Sequence, residues 1–369
     1  MLRAMTSMTR PKALMLWRSR FFAYAPVALL ATVAVGACNQ ASAAPPHWTI
    51  VANVKVGQTP GPVTLGGRWA FVPNMNDGTV TQINRADGKI AATIRIDDPG
   101  VLRGQGCAPD SIHNYYSGSW SYRVCDIPYA IAWDGSSLWA LDNGRKQLIR
   151  IDPVSHQRAN RVNLPSTLGA DLLHGVVYGW SIAAGSGMVW VSGYADHSLY
   201  GVDIQTRRVA TVVTDLDPGP TTLVDAAGSV WVVCVRGTNG IGYLDRVDPA
   251  TAQVVGRYPI EWWSEGIIAD QGAIYVRGSF GGDISRLNAS TGAIEWSQPG
   301  PGFIGRQGID ELGAAPTGIW MSGPTTARID LKTGVIAERI FDPSTSVTAG
   351  GTEVWLVELN GSVAEYKWK

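Results

Sequence analysis

The chain has 369 residues, of which 45% are hydrophobic and 16% are charged, and its 30 basic residues are balanced by 30 acidic ones. Without the five basic residues before position 21, the chain is mildly acidic, which argues against nucleic acid as a partner. Its 43 glycines and 15 tryptophans are typical of an all-β protein rather than a helical one.

The first 37 residues predict a signal peptide for export. The basic residues before position 21 have no acidic counterpart; they are Arg3, Arg10, Lys12, Arg18 and Arg20. An apolar stretch follows at 21–37, FFAYAPVALLATVAVGA, and ends in small residues directly before Cys38. A basic region, an apolar core and a small-residue exit are the parts of a secretory signal peptide.

The residues around Cys38 leave three export routes open. VGAC at 35–38 resembles a bacterial lipobox, which predicts that Cys38 is lipidated and that residues 38–46 form a tether. Cleavage at the A-x-A pattern of 41–43 would instead give a freely secreted protein. An uncleaved anchor helix is the third route, although 17 residues that include Pro26 are short for a membrane span. We therefore expect an extracytoplasmic protein, held at a membrane as a lipoprotein or secreted.

Residues 47–369 predict a single domain built from seven repeats. An aromatic residue recurs in the second strand of each repeat, at steps of 68, 51, 41, 44, 45 and 35 residues; the set is Phe71, Trp139, Trp190, Trp231, Tyr275, Trp320 and Trp355. A four-strand repeat of roughly 40 to 50 residues is the signature of a β-propeller blade. We expect an all-β, seven-bladed β-propeller in which these aromatic side chains fill the spaces between blades.

The last repeat has only three strands before the chain ends. The stretch from Trp48 to Val56, WTIVANVKV, matches the fourth-strand pattern of KIAATIRI at 89–96. We expect this N-terminal strand to pair with the seventh blade and close the ring, which protects the sheet edges at the seam.

Acidic or amide residues follow the third strand of six repeats; they are Asn84, Asp152, Asp203, Asp248, Asn288 and Asp330. Asp and Asn side chains accept hydrogen bonds from backbone N–H groups in tight turns, so we expect them to cap the turn to the fourth strand. They occur once per blade, which argues against a shared calcium site.

Two segments resemble known propeller families. FVPNMNDGTVTQINRADGKIAATIRI at 71–96 resembles the YVTN repeat of YncE-like propellers. PYAIAWDGSSLWALDNGRKQLIRIDP at 128–153 is similar to blades of streptogramin lyase (virginiamycin B lyase) and of NHL-type propellers. Both resemblances imply the propeller fold. The second also implies a metal-assisted opening of a cyclic depsipeptide by His and Glu side chains on one face.

The longest connection between repeats runs from Asp97 to Ile127 and carries several aromatic residues: Tyr115, Tyr116, Trp120 and Tyr122. It also contains Cys107 and Cys125, which we expect to form a disulfide in an oxidising compartment. Long connections in compact domains are commonly functional, so we expect this segment to be the chief recognition element. Cys234, in the apolar stretch VWVVC, is expected to be a buried free thiol.

All the long connections are expected to share one face of the propeller, together with the mouth of the central channel. Polar and aromatic residues near the starts of inner strands and in neighbouring loops form the candidate ligand-binding set: Tyr129, Asp142, Trp180, His197, Arg236, Glu265, Arg277 and Asp310. These residues could hold a ligand. The alternative is a set of mutually satisfied ion pairs lining a wet channel.

Two functions of different classes follow. The first is a monomeric, lipid-anchored binding propeller that presents its loop-rich face to an extracytoplasmic protein, peptide or glycan. The alternative is a streptogramin-lyase-like metal-assisted lyase or hydrolase, with a divalent cation held by Glu265, Asp310 and His197. No other cofactor is expected, because the T-G-x-x-x-W pattern that resembles the docking motif of PQQ-dependent dehydrogenases occurs only once, within 287–298.

Overall fold

The structure is a computed structural model. It describes residues 47–75, 77–96, 128, 130–142, 145–165, 179–194, 196–237, 240–262, 264–278, 282–300, 312–340 and 342–368. These residues form seven antiparallel sheets of four strands each, and within these ranges there is no α-helix. The described part of the chain therefore offers no helix long and apolar enough to cross a membrane.

Each sheet is one blade, with strands A to D from the axis outward. Blade 1 contains β2 (Thr64–Gly66), β3 (Trp69–Asn74), β4 (Thr79–Asn84) and β5 (Lys89–Arg95). Blade 2 contains β6 (Ala130–Trp133), β7 (Leu138–Asp142), β8 (Gln147–Ile151) and β9 (Arg158–Asn163). Blade 3 contains β10 (Gly179–Gly185), β11 (Met188–Gly193), β12 (Ser198–Asp203) and β13 (Val209–Val213).

The remaining blades follow the same order. Blade 4 contains β14 (Pro220–Ala226), β15 (Ser229–Cys234), β16 (Ile241–Asp248) and β17 (Gln253–Glu261). Blade 5 contains β18 (Ser264–Asp270), β19 (Ala273–Gly278), β20 (Ile284–Asn288) and β21 (Ile294–Gln298). Blade 6 contains β22 (Leu312–Ala315), β23 (Gly318–Met321), β24 (Thr326–Ile329) and β25 (Ile336–Ile340). Blade 7 contains β26 (Ser344–Gly350), β27 (Glu353–Glu358), β28 (Ser362–Trp368) and β1 (Trp48–Lys55).

The N-terminal strand closes the ring as predicted. β1 pairs antiparallel with β28, from Trp48 opposite Trp368 to Lys55 opposite Ser362. The indole of Trp48 lies edge-on to that of Trp320 in blade 6, with 5.0 Å between ring centroids. β1 thus covers the edge of the last strand of the chain, which would otherwise expose its backbone polar groups.

Burial along the strands follows from their place in the blade. Strand B is packed on both faces, so its apolar residues run continuously; every residue of β15, SVWVVC, is buried. Strand D lies at the outer edge, and β17, QVVGRYPIE, alternates between exposed and half-buried residues along its length. This difference explains why strand B carries the clearest signal of each repeat in the sequence.

Seven apolar clusters hold the ring together, one at each interface between neighbouring blades. The inner strands also contact one another in order, and β26 of blade 7 meets β2 of blade 1. The seven strand-B aromatic residues have almost no exposed surface, and each belongs to the cluster shared with the following blade: Phe71, Trp139, Trp190, Trp231, Tyr275, Trp320 and Trp355. The expected packing role of these side chains is confirmed.

One face of the propeller, here called the turn face, carries the A–B and C–D turns. Three A–B turns place two consecutive residues at positive φ: Ser186–Gly187, Ala227–Gly228 and Gln271–Gly272. This is the mirror-image hairpin turn whose twist matches that of the flanking strands. These turns consist of two residues, which leaves little surface for a ligand.

The C–D turns are equally uniform. As predicted, the Asp or Asn side chain after strand C accepts hydrogen bonds from backbone N–H groups two or three residues later in all six cases. In blade 2, Asp152 Oδ1 accepts from the N–H groups of Val154 and Ser155 at 2.8 and 2.7 Å. These N–H groups stabilise the carboxylate and hold the pKa of Asp152 below its ordinary value. These six side chains are therefore occupied in forming turns.

Candidate functional site

The opposite face, here called the loop-bearing face, is where each strand A begins, each strand D ends and each B–C loop crosses. Four inner strands have an irregular register at this end: β10, β14, β18 and β26. Such bulges redirect side chains and often lie beside functional sites. Register shifts also occur beside the C–D turns of blades 1 to 6, so irregular register alone does not distinguish the two faces.

His197 and Arg236 of the predicted set meet at the same connection between blades 3 and 4. The N–H of Gly219 donates to Nδ1 of His197 at 3.1 Å. The N–H of Arg236 donates to the carbonyl of Pro218 at 2.9 Å, and its guanidinium lies 4.7 Å from the ring centroid of Tyr194. A cation over an aromatic face is stabilised electrostatically, so Arg236 has a defined position.

Asp196 lies beside His197 in the same B–C loop. The hydroxyl of Tyr200 donates a short hydrogen bond to its carboxylate. Burial raises the pKa of Asp196 above its ordinary value, and the Tyr200 hydrogen bond opposes that rise. The loop therefore brings a carboxyl group, an imidazole and a phenol together.

Asp142 and Arg277 are fully buried and belong to blades 2 and 5. Asp142 accepts a hydrogen bond from the N–H of Arg145 at 3.0 Å, within the B–C loop of blade 2. Nη1 of Arg277 donates to the carbonyl of Ser322 at 2.7 Å and so links blade 5 to blade 6. The described contacts of Asp142 therefore fix the B–C loop of its own blade, and those of Arg277 hold two blades together.

The other predicted residues are only partly described. Trp180 lies in β10 and Glu265 in β18, where the backbone alone is described. The other candidates lie outside the described residues: Tyr129, Asp310, Cys38, Cys107 and Cys125. Cys234 is buried with a free thiol. Within the described ranges, no three His, Cys, Asp or Glu side chains form a group that could hold a metal ion.

A cavity of about 260 Å³, here called the blade 4–5 cavity, lies between these two blades on the loop-bearing face. Its lining residues come from β17 and from all four strands of blade 5, with the B–C loop of that blade; they are Pro259, Ile260, Glu261, Ser264, Val276, Gly278, Asp283, Ser285, Ile294 and Ser297. None of these residues belongs to the ligand-binding set predicted from the sequence.

The lining of the blade 4–5 cavity is both polar and apolar. Glu261 and Asp283 supply carboxylates, and three serines supply hydroxyl groups. A Cβ atom at residue 278 would overlap the carboxylate of Glu261, so the absence of a side chain at Gly278 makes room for the Glu261 carboxylate. The N–H of Gly278 donates to the carbonyl of Asp283 at 2.9 Å, which fixes both ends of the B–C loop.

A buried acidic group lies at the interface of blades 3 and 4. Asp245 is fully buried, and burial raises its pKa to about 7. The Asp217 N–H group opposes that rise by donating to Asp245 Oδ2 at 2.8 Å, whereas the Asp217 charge adds to it. Nε of Arg257 lies 3.4 Å from Asp217 Oδ2 and 3.7 Å from Asp245 Oδ1.

The thiol of Cys234 belongs to the same interface, with its sulfur 3.8 Å from Asp245 Oδ2. Burial, reinforced by the charges of Asp245 and Asp217, raises the pKa of this thiol well above its ordinary value. A thiol in such surroundings stays protonated and unreactive.

No protein-family model and no curated protein matches this sequence. Among solved structures, the chain is similar to the hydrazine synthase of Kuenenia stuttgartiensis, with 12% identity and a TM-score of 0.62 over 85% of this chain and 97% of that one. It is also similar to a chain of a mitotic checkpoint complex, with 10% identity and a TM-score of 0.60 over 95% and 98% of the two chains. At these identities the likeness shows the fold alone, a seven-bladed β-propeller.

Proposed function

We propose that this protein is an exported, lipid-anchored β-propeller that binds a protein, peptide or glycan through its loop-bearing face. The basic and apolar N-terminal segment and VGAC at 35–38 support export and lipidation at Cys38. The blade residues at 71–96 support placing the chain with the YVTN-type propellers. A propeller is a rigid scaffold, and such scaffolds commonly carry recognition residues on their loops.

The observation that carries this proposal is the difference between the two faces. On the turn face, six C–D turns share one side-chain-capped geometry. On the loop-bearing face, a cavity opens between blades 4 and 5. The long connections 96–129, 164–178 and 299–311 also start and end at strand termini of this face. The loop-bearing face thus combines a concave surface with the ends of the long connections between blades.

The proposal is tested by presenting the mature protein to peptide and glycan arrays and measuring capture. We expect specific capture, and its loss when residues 107–125 are replaced by a short Gly-Ser link. The melting temperature should change little, because β5 and β6 on either side of the connection need no more than a link. If capture is unchanged by this replacement, the connection is not part of the recognition surface. If no array ligand is captured at all, the proposal is contradicted.

The anchoring is tested separately with Cys38→Ser in a bacterial host that processes lipoproteins. We expect the variant to leave the membrane fraction and lose its lipid mass, with Cys234→Ser as a control that stays membrane-bound. A full-length Cys38→Ser protein that remains in the membrane fraction would favour the uncleaved anchor.

A further inference from the structure

We propose that the blade 4–5 cavity binds a basic side chain of a peptide ligand, an arginine or a lysine. This inference rests on the proposed function and gives the chemistry that one part of the loop-bearing face recognises.

The size of the cavity limits the ligand. Its volume of about 260 Å³ lies just below the roughly 300–1,000 Å³ that is typical of sites for drug-sized molecules. The cavity therefore suits one side chain or one small ring rather than an extended molecule.

The charge of the cavity selects a donor with positive charge. Its ionisable lining residues are Glu261 and Asp283, and the described lining contains no lysine, arginine or histidine. A carboxylate accepts hydrogen bonds and donates none. A ligand held by these two groups must supply N–H or O–H donors, and a cationic donor forms the stronger bonds.

The hydroxyl groups of the cavity also favour a ligand that donates hydrogen bonds. The Ser285 and Ser297 side chains hydrogen-bond to each other at 3.1 Å, across paired strands. The Ser264 hydroxyl donates to the carbonyl of Glu261 at 2.8 Å. Because Ser285 and Ser264 donate their protons in these bonds, the oxygens of these two hydroxyl groups present lone pairs to a ligand.

Apolar lining completes the match to a long basic side chain. Pro259, Ile260, Val276 and Ile294 form the remainder of the wall, apart from Gly278. Arginine and lysine bury their methylene groups against apolar surface while the charged end binds polar groups. An uncharged sugar would also donate hydrogen bonds, but two carboxylates would give it no charge attraction.

The test uses two probes of the same shape, Nα-acetyl-arginine amide and Nα-acetyl-citrulline amide, titrated into the mature protein by calorimetry. We expect the arginine probe to bind, with the citrulline probe at least about tenfold weaker because it lacks the charge. Binding of the arginine probe should also weaken as salt is added.

Variants place the binding in this cavity. Glu261→Gln and Asp283→Asn keep the side-chain size and should each weaken the arginine probe about tenfold. Glu338→Gln is the matched control, since it removes one carboxylate from blade 6, where Glu338 pairs with Arg328 at 3.0 Å. This control should bind the probe as the unchanged protein does, and equal melting temperatures would show that all three variants fold.

Three outcomes would overturn the inference: no binding of the arginine probe at millimolar concentration, equal affinity for both probes, or binding that neither Glu261→Gln nor Asp283→Asn weakens. In each of these cases, continued capture of an array ligand through the loop-bearing face would leave the proposed function intact. Loss of all array capture with normal arginine-probe binding would instead count against the proposed function.

Discussion

The main-chain N–H of Asp217 donates a 2.8 Å hydrogen bond to Oδ2 of Asp245, a carboxyl group with no exposed surface. This bond fastens the connection between blades 3 and 4 to the third strand of blade 4. The other oxygen, Oδ1, is buried and accepts no hydrogen bond. Burying a charged carboxylate is unfavourable unless it is fully paired, so this interface favours the protonated form.

The first prediction concerns the pH dependence of stability. The pKa of Asp245 is about 7 in the folded protein, against an ordinary value of 3.8. Between these values the folded state binds a proton that the unfolded state has released. The contribution of Asp245 to the free energy of unfolding is therefore greatest below pH 4, falls as pH rises, and levels off above about 7.

Asp245→Asn imitates the protonated side chain and keeps an acceptor for the Asp217 N–H. We expect the variant to gain stability over the unchanged protein as pH rises from 5 to 8, measured by urea unfolding at each pH. Asp215→Asn is the control, because Asp215 pairs with the same Arg257 but its side chain is 86% exposed. A stability difference for Asp245→Asn that does not vary with pH would contradict the assigned pKa.

The second prediction concerns a hydrogen bond between blades 3 and 4. Nε1 of Trp190 donates to Asp225 Oδ2 at 3.1 Å, whereas Nε1 of Trp231 in the next blade is buried without a hydrogen-bond partner. Asp225→Ala should lower the free energy of unfolding by about 1–2 kcal/mol. In a Trp190→Phe background this cost should shrink by about 1 kcal/mol, and in a Trp231→Phe background it should not change. Equal costs in all three backgrounds would show that the bond contributes nothing.

The third prediction concerns the closing strand. Removing residues 47–57 takes away β1 with its pairing to β28, and also the contact of Trp48 with Trp320. We expect the free energy of unfolding to fall by on the order of 5 kcal/mol, from lost apolar burial and an unpaired edge. A chain that begins at residue 47 is the control and should melt like the mature protein. The idea fails if the two truncated chains unfold at the same urea concentration.

Much of the fold could be predicted because each blade is encoded by a sequence pattern within its own repeat. The strand-B aromatic side chains are buried for a reason that acts within one repeat, namely packing on both faces of the sheet. The closing strand could be predicted from the three strands of the last repeat, and β1 indeed pairs with β28. Turn-forming residues such as Asp203 could be predicted because their side chains bond to the backbone of the same turn.

The blade 4–5 cavity could not be predicted in the same way. It depends on how β17 of one blade lies against the next blade, which no single repeat specifies. Gly278 is part of its cause, because the absence of a side chain makes room for the Glu261 carboxylate. Asp245 did leave a signal: an acidic residue within IGYLDRVD, a strand otherwise packed in the blade, predicts a buried polar group that needs partners.

A fourth prediction separates the two faces by mutation. Asp203→Ala removes the carboxylate that accepts from the Gln205 and Thr206 N–H groups in the C–D turn of blade 3. The melting temperature should fall slightly, and Asp203→Asn should restore it because the amide oxygen can replace the acceptor. Array capture should be unchanged in both variants. Loss of capture in the well-folded Asp203→Asn protein would place recognition on the turn face.

The most direct measurement is hydrogen–deuterium exchange of the mature protein with and without the tightest ligand captured on the arrays. If the loop-bearing face is the binding surface, exchange should slow in peptides covering 259–264 and 282–285 and stay unchanged in the turns at 152–157, 203–208 and 330–335. Slowed exchange confined to those turns, with no change on the loop-bearing face, would contradict the account.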